Sequence, residues 1–200
     1  MSLEGQFQAQ EQASQLIAGL SLVSLTLVFL VLYSRYQSVT LAAIIMANIP
    51  LALIGSVAAM WLAGVSLSVA SMVGFITLAG IAARNGILKV SHYVNLCRLE
   101  GERFGPEMVV RGSLERLTPV LMTALVAAFA LTPLLLSADA PGKEILHPVA
   151  VVIFGGLVSS TLLDTVLTPV MYLLFGREAT ERLVRVEEDD ARPGNLQEAF

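Results

Sequence analysis

The chain has 200 residues, of which 56% are hydrophobic and 14% are charged, and its formal net charge is −4. Soluble domains carry about 25% charged residues, so this chain has too few to cover a water-facing surface. Its mean hydropathy of +0.75 and its long apolar runs exclude a soluble globular protein and indicate a membrane protein.

The chain opens on residues 1–15, which are polar and contain neither Lys nor Arg. A signal peptide needs a positively charged start before its apolar stretch, so this segment does not have the pattern of one. We interpret it as the end of a helix that continues from an upstream part.

Five apolar segments follow, and each meets the requirement of about 20 residues for a helix that crosses about 30 Å of hydrocarbon. The sequence therefore predicts an all-α integral membrane helical bundle, with its transmembrane part over residues 16–176. The predicted spans cover about residues 16–33, 39–63, 67–93, 117–136 and 148–175.

The connections between these spans differ in length. Short joins at 34–38 and 64–66 predict antiparallel neighbours, whereas 94–116 is longer and mixes four arginines with four glutamates. Within that cytoplasmic loop, apolar Met108, Val109 and Leu114 predict a short amphipathic helix on the membrane surface. Residues 177–200 are acidic and are expected to form a solvated cytoplasmic tail.

The basic residues fix the expected orientation. With the N-terminus outside, nine arginines fall in the inner segments and Lys143 falls in an outer one. The positive-inside rule therefore predicts a periplasmic N-terminus and a cytoplasmic C-terminus.

Arg84 and Asn85 lie inside the third predicted span. A charge at mid-membrane costs about 2.5–3.5 kcal/mol on insertion scales, so such a residue is a functional candidate that faces the bundle interior. The alternative is an arginine that snorkels to the interface, but Arg84 lies about nine residues from the cytoplasmic end of the span, or roughly 13 Å.

Asp164 is the one acid within the predicted spans, at a depth close to that of Arg84. The matching depths suggest an ion pair or a proton-sensitive contact, unless Asp164 faces a partner elsewhere. Lys89 is expected to snorkel to the interface. Thr123 and Arg116 form a polar edge on the fourth span, although an intramembrane threonine often bonds only its own backbone.

Other features point to packing. Asn48 beside Pro50 predicts a polar kink in the second span, and small residues in the third and fifth spans predict close helix contacts. These small residues include Ala79, Gly80, Ala83 and Gly86 in the third span and Gly155, Gly156, Ser159 and Ser160 in the fifth.

The sequence contains no metal-ligand spacing, phosphate-binding loop or nucleophile constellation. We therefore expect no cofactor, no metal site, no enzymatic activity and no nucleic-acid partner.

Three longer segments resemble the C-terminal end of resistance-nodulation-division (RND) efflux permeases, and above all those of the heavy-metal cation branch. They read GFITLAGIAARNGILKVSHYVNL (74–96), ERLTPVLMTAL (115–125) and PGKEILHPVAVVIFGGLVSSTLLDTVLTPVMYLLFG (141–176). The opening GQFQAQEQA (5–13) resembles the helix that leads from a periplasmic domain of such pumps into their eighth span.

The resemblance implies that the five helices are the last five of a twelve-span protomer in the bacterial inner membrane. Proton influx would drive export by a homotrimer, together with a periplasmic adaptor and an outer-membrane channel. The acids of the family's proton relay belong to a fourth span that this chain lacks, in the N-terminal half of the permease. Supporting positions of that relay fall on Arg84, Asn85, Arg116 and Thr123.

Metal cations are the expected substrate. The alternatives are part of a multidrug or organic-compound RND pump, or a truncated or split subunit that acts only as a membrane interaction partner.

Overall fold

The computed structural model describes residues 3–136 and 145–190, and side chains are described for residue 8 and residues 10–136 and 145–185. This part of the chain contains seven α-helices and no strand. They are α1 (Leu3–Tyr36), α2 (Val39–Met46), α3 (Asn48–Ala63), α4 (Val69–Leu99), α5 (Pro106–Leu135), α6 (Leu146–Phe175) and α7 (Arg177–Asp190).

Five stretches are long and apolar enough to cross a membrane, so the predicted all-α membrane bundle with five spans is confirmed. The helices nevertheless extend beyond the predicted limits of the spans, most clearly at the C-terminal end of α4 and the N-terminal end of α5. The spans are Gln10–Tyr36, Val39–Ala63, Val69–Leu99, Pro106–Leu135 and Leu146–Phe175.

The second span consists of two helices, α2 and α3, which meet at Ala47. Pro50 lies in the first turn of α3, where a residue without a backbone N–H is tolerated because it has no intrahelical partner to lose. The kink expected beside Asn48 is thus a break in the helix, and Asn48 is the first residue after it.

The prediction of a separate surface helix within the loop is wrong. Met108 and Val109 belong to the first two turns of α5, which continues without interruption into the fourth span. Both side chains are buried against the ends of α4 and α6, and Leu114 is exposed. The apolar periodicity that suggested a membrane-surface helix therefore reflects packing against the bundle.

Helices α3 and α6 cross at close range through small residues. A Cβ atom on Gly55 would lie 2.6 Å from the carbonyl oxygen of Gly155, so only glycine fits there. Two hydroxyl groups hold the crossing: Ser56 donates to the Val152 carbonyl at 3.0 Å and Ser159 to the Leu51 carbonyl at 3.0 Å. The small residues of the fifth span do mediate close contact, and at this crossing their partner is the second span.

The ends of α1, α4 and α6 meet the start of α5 in one apolar cluster that α7 covers. Tyr93 and Tyr172 are fully buried there with ring centroids 4.7 Å apart, and Phe104 lies 5.6 Å from Tyr172. This cluster places Arg35, the loop arginines and the start of α7 at the same end of the bundle. Residues 177–190 of the expected tail form α7, whereas residues 191–200 and Lys143 lie outside the described residues.

Candidate functional site

Two polar regions lie back to back on helix α4. One is a buried network between α3, α4 and α6, and the other is a cavity between α4 and α5. Both are built from residues inside the candidate spans, where hydrocarbon makes polar groups costly.

The buried network is centred on an ion pair between Lys89 and Asp164. The Lys89 ammonium donates to Asp164 Oδ2 at 2.6 Å and to the Asp164 main-chain oxygen at 2.9 Å. Lys89 is 4% exposed and Asp164 is 3% exposed. Because both charges are withdrawn from solvent, each depends on the other for compensation.

Two further side chains extend this network to the break in the second span. Thr168 lies one turn after Asp164 on α6, and its hydroxyl contacts Asp164 Oδ1 and, at 2.9 Å, Asn48 Oδ1. Asn48 and Thr168 are each 2% exposed. The network therefore joins three spans through Asn48, Thr168, Asp164 and Lys89, which we call the buried polar network.

This geometry corrects two predictions. The expected pair between Arg84 and Asp164 is wrong, because the partner of Asp164 is Lys89. The expectation that Lys89 snorkels to the interface is also wrong, since its ammonium turns into the bundle. Depth along the sequence suggested the first pair, but Arg84 and Lys89 are five residues apart and point in directions about 140° apart on the helix.

The second region is a cavity of about 380 Å³ between α4 and α5, which we call the α4–α5 cavity. All four residues that the resemblance singled out line it, although they come from two helices and lie up to 39 positions apart. Its polar lining consists of Arg84, Asn85, Lys89, Arg116 and Thr123, and the remainder is apolar, including Ile81, Val120 and Leu157.

The two arginines of the cavity lining have no matching acid among the described side chains. Arg84 is exposed in this chain and Arg116 is partly buried. Among the residues whose side chains are described, neither arginine has a carboxylate within 4 Å. Thr123 makes its only hydrogen bond in this part of the chain to its own helix, donating to the Val120 carbonyl at 2.9 Å. The lining is therefore suited to receive an anionic group from outside the described residues.

Closer to the loop, the charges of α4 and α5 are paired. His92 lies 2.7 Å from Glu115, and Arg111 contacts Glu115, Glu100 and Glu102. These contacts fasten the α4–α5 connection to the start of α5. They also show that Glu100, Glu102 and Glu115 are engaged with partners other than the arginines of the cavity.

Sequence reasoning missed Asn48, Lys89 and Thr168 as members of one site. A signal was present, because Asp164 and Thr168 are four residues apart and so share a face of α6. Lys89 is likewise four residues after Asn85 on α4. No pattern in the sequence, however, shows which helix faces which.

Comparison with known proteins identifies the fold's relatives. A family model described as AcrB/AcrD/AcrF family matches residues 1–176. The chain belongs to this family. The resemblance to RND efflux permeases is thereby confirmed, and the named relatives extend it to the heavy-metal branch.

Among relatives of this AcrB/AcrD/AcrF-family chain is the cobalt-zinc-cadmium resistance protein CzcA of Cupriavidus metallidurans, which is 36% identical over 178 residues. Protein HelA of Legionella pneumophila is 39% identical over 171 residues. These alignments cover 89% and 86% of this chain but only 16% of each relative. The multidrug resistance protein MdtC of Proteus mirabilis is 35% identical over 162 residues, which cover 81% of this chain and 15% of that protein.

A solved structure supports the same assignment. A crystal structure of a heavy metal efflux pump superposes with a TM-score of 0.75 and 38% sequence identity, covering 86% of this chain and 17% of that one. The chain thus has the fold of one helical part of an RND transporter, and it spans about one sixth of the length of these relatives.

Proposed function

We propose that this chain is the C-terminal transmembrane part of a proton-driven RND permease that exports metal cations. The α4–α5 cavity carries the proposal, because it gathers Arg84, Asn85, Arg116 and Thr123 around a space that contains no acid from the described residues. Names of the relatives favour metal cations over organic compounds as substrate, since CzcA and a nickel-cobalt-cadmium resistance protein are among them.

The proposed mechanism is electrostatic. Carboxylates from the N-terminal half of the permease would enter the cavity, where Arg84 and Arg116 stabilise them in their ionised form. Protonation of these acids removes their negative charge, so the arginines are no longer held and the helices that carry them can shift. Asn85 and Thr123 would contribute neutral hydrogen bonds that orient the acids.

The assembly follows from the same proposal. The five spans lie in the bacterial inner membrane with a periplasmic N-terminus, as the last five of twelve. The permease forms a homotrimer and exports through a periplasmic adaptor and an outer-membrane channel.

A chimeric permease tests the proposal. The chain replaces the corresponding stretch of CzcA in cells without other cobalt, zinc or cadmium exporters, and metal resistance and proton-dependent export are measured. We expect resistance with the parent chain and at least about a tenfold loss of export in Arg84→Ala, which corresponds to about 1.4 kcal/mol of lost coupling.

Arg177→Ala is the matched control, because Arg177 is an exposed arginine on α7 outside the cavity. It is expected to export like the parent. Equal export by Arg84→Ala and Arg177→Ala would contradict the coupling role, and protection against dyes and bile salts but not metals would favour the multidrug alternative.

A further inference from the structure

Lys89 is the one residue that belongs to both polar regions. Its ammonium is held by Asp164 in the buried polar network, and the same residue also lines the α4–α5 cavity. Asn85, one turn earlier on the same face of α4, also lines that cavity. A lysine stem is a flexible chain of four carbons, so rotation of the stem can carry the ammonium from Asp164 toward the cavity.

The single hydrogen of the Thr168 hydroxyl is shared between two acceptors of the network around Asp164. The Thr168 hydroxyl has one hydrogen, yet it lies within hydrogen-bond distance of two acceptors, Asp164 Oδ1 and Asn48 Oδ1. The other polar atom of the amide, Asn48 Nδ2, is buried and is unpaired among the described residues. With Asp164 ionised, the two contacts of the Thr168 hydroxyl are therefore one hydrogen short in this arrangement.

Two arrangements of hydrogens supply a hydrogen to both contacts of the Thr168 hydroxyl. With Asp164 protonated, its hydroxyl donates to Thr168 Oγ1 and Thr168 donates to Asn48 Oδ1. With Asp164 ionised, a rotated Asn48 amide donates to Thr168 and Thr168 donates to Asp164. The same side-chain positions therefore accommodate both protonation states of Asp164.

The charged surroundings of Lys89 decide which state is favoured. Arg84, His92 and Tyr93 come from α4, and Arg116 and Glu115 from α5, with His92 and Glu115 paired to each other. Asp164 is the acid that α6 contributes, and α3 has no charged residue. A carboxylate in the cavity would attract the Lys89 ammonium, whereas a cavity without an anion leaves it with Asp164.

We propose that Lys89 is a movable counter-charge that makes Asp164 a second proton-binding site. When an anion occupies the cavity, the Lys89 ammonium moves toward it, and Asp164 takes one proton from the aqueous phase to become a neutral acid. When the cavity anion is neutralised, Lys89 returns and Asp164 releases that proton. This inference rests on the proposed function for the identity of the anion, but its chemistry is testable in this chain alone.

The experiment places an anion in the cavity. Thr123→Asp adds a carboxylate to the cavity wall, and Thr123→Asn adds a neutral group of the same shape. Infrared spectra of the chain in lipid nanodiscs report the carboxylic-acid band of Asp164, which is obtained by subtracting the spectrum of the matching Asp164→Asn variant. At pH 7 we expect this band to be about threefold larger, or more, in Thr123→Asp than in Thr123→Asn.

Lys89→Gln separates movement of lysine from direct repulsion between the two carboxylates. This variant keeps a hydrogen-bond donor beside Asp164 and removes the charge. In its background we expect the difference between Thr123→Asp and Thr123→Asn to fall to less than about half. An undiminished difference, or none in the parent background, would overturn the proposal.

A second measurement needs no substitution of Lys89, so it does not depend on the folding of a neutral Lys89 variant. The chain has two lysines, Lys89 and Lys143, so the ¹⁵Nζ signal of Lys89 is readily assigned. Its chemical shift is expected to differ between Thr123→Asp and Thr123→Asn, and identical shifts would contradict movement of the ammonium.

The two proposals can fail separately. If the Lys89 signal shifts in Thr123→Asp while the Arg84→Ala chimera exports normally, the proposed function fails and the counter-charge stands. If Arg84→Ala abolishes export while Lys89 does not respond, the proposed function stands and the counter-charge fails.

Discussion

The positive charges on the two sides of α4 differ in whether they have an acid partner. On the α6 side, Lys89 has its own acid, is buried and forms part of a network in which Thr168 and Asn48 contact one another. On the α5 side, Arg84 and Arg116 line an open cavity and have no acid among the described side chains. The first arrangement is internally balanced, whereas the second is balanced only by a group from elsewhere.

This difference indicates how one helix can both stabilise the bundle and respond to an incoming anion. A buried ion pair holds α4 to α6 because separating the charges without replacement costs several kcal/mol. An exposed arginine contributes little to the stability of this chain and is free to pair with an incoming anion. The contrast predicts that substitutions on the two faces will have effects on different properties.

The largest expected effect comes from removing one charge of the buried pair. Lys89→Met leaves the Asp164 carboxylate buried without its counter-charge, and Asp164→Asn does the same to Lys89. Each single variant should lose about 3–5 kcal/mol of stability, whereas the double variant should lie within about 1–2 kcal/mol of the parent. Thermal and denaturant unfolding in detergent micelles measures this. A double variant as unstable as either single one would show that the pair does not act as a unit.

A smaller loss of stability is expected from a change at Thr168, the uncharged residue that contacts Asp164. Thr168→Val keeps the shape of the side chain but removes the hydroxyl that contacts Asp164 and Asn48, which should cost about 1–3 kcal/mol. Thr165→Val is the matched control on the same helix, because within the described part of the chain Thr165 donates only to the Thr161 carbonyl one turn earlier. Equal loss of stability in the two variants would show that the Thr168 contacts contribute nothing beyond a local backbone bond.

The sequence predicted most of the fold because hydrocarbon imposes a simple rule: an apolar run of the right length must be helical to satisfy its backbone. Five spans followed from this rule, and Asn48 with Pro50 predicted the kink in the second of them. The start of α5 was misread, because Met108 and Val109 have the same periodicity whether they contact lipid or other helices. Contact with the bundle depends on the direction in which α5 leaves the loop, which local sequence does not encode.

The candidate site was predictable only in part. Arg84, Asn85, Arg116 and Thr123 were identified by resemblance, and the structure brings them to one cavity, although their role in proton coupling stays a prediction. The partner of Asp164 was not predictable from depth, since Arg84 and Lys89 lie within about 7.5 Å of each other along the helix axis. Rotation about that axis decides which of them faces α6, and only the packing of the helices against one another fixes this rotation.

The smallest expected change in stability is also the sharpest test of the comparison. Arg84→Ala removes a full charge from the middle of a span, yet Arg84 is exposed in this chain and has no acid partner among the described residues. Its unfolding free energy should therefore stay within about 0.5 kcal/mol of the parent, measured in the same micelles as the Lys89 and Asp164 variants. A loss comparable to that of Lys89→Met would mean that Arg84 supports the bundle itself, and the division of α4 into a stabilising face and a responsive face would not hold. A stable Arg84→Ala chain would separate a loss of export in the chimera from misfolding, because the change would then act on the anion that the cavity receives.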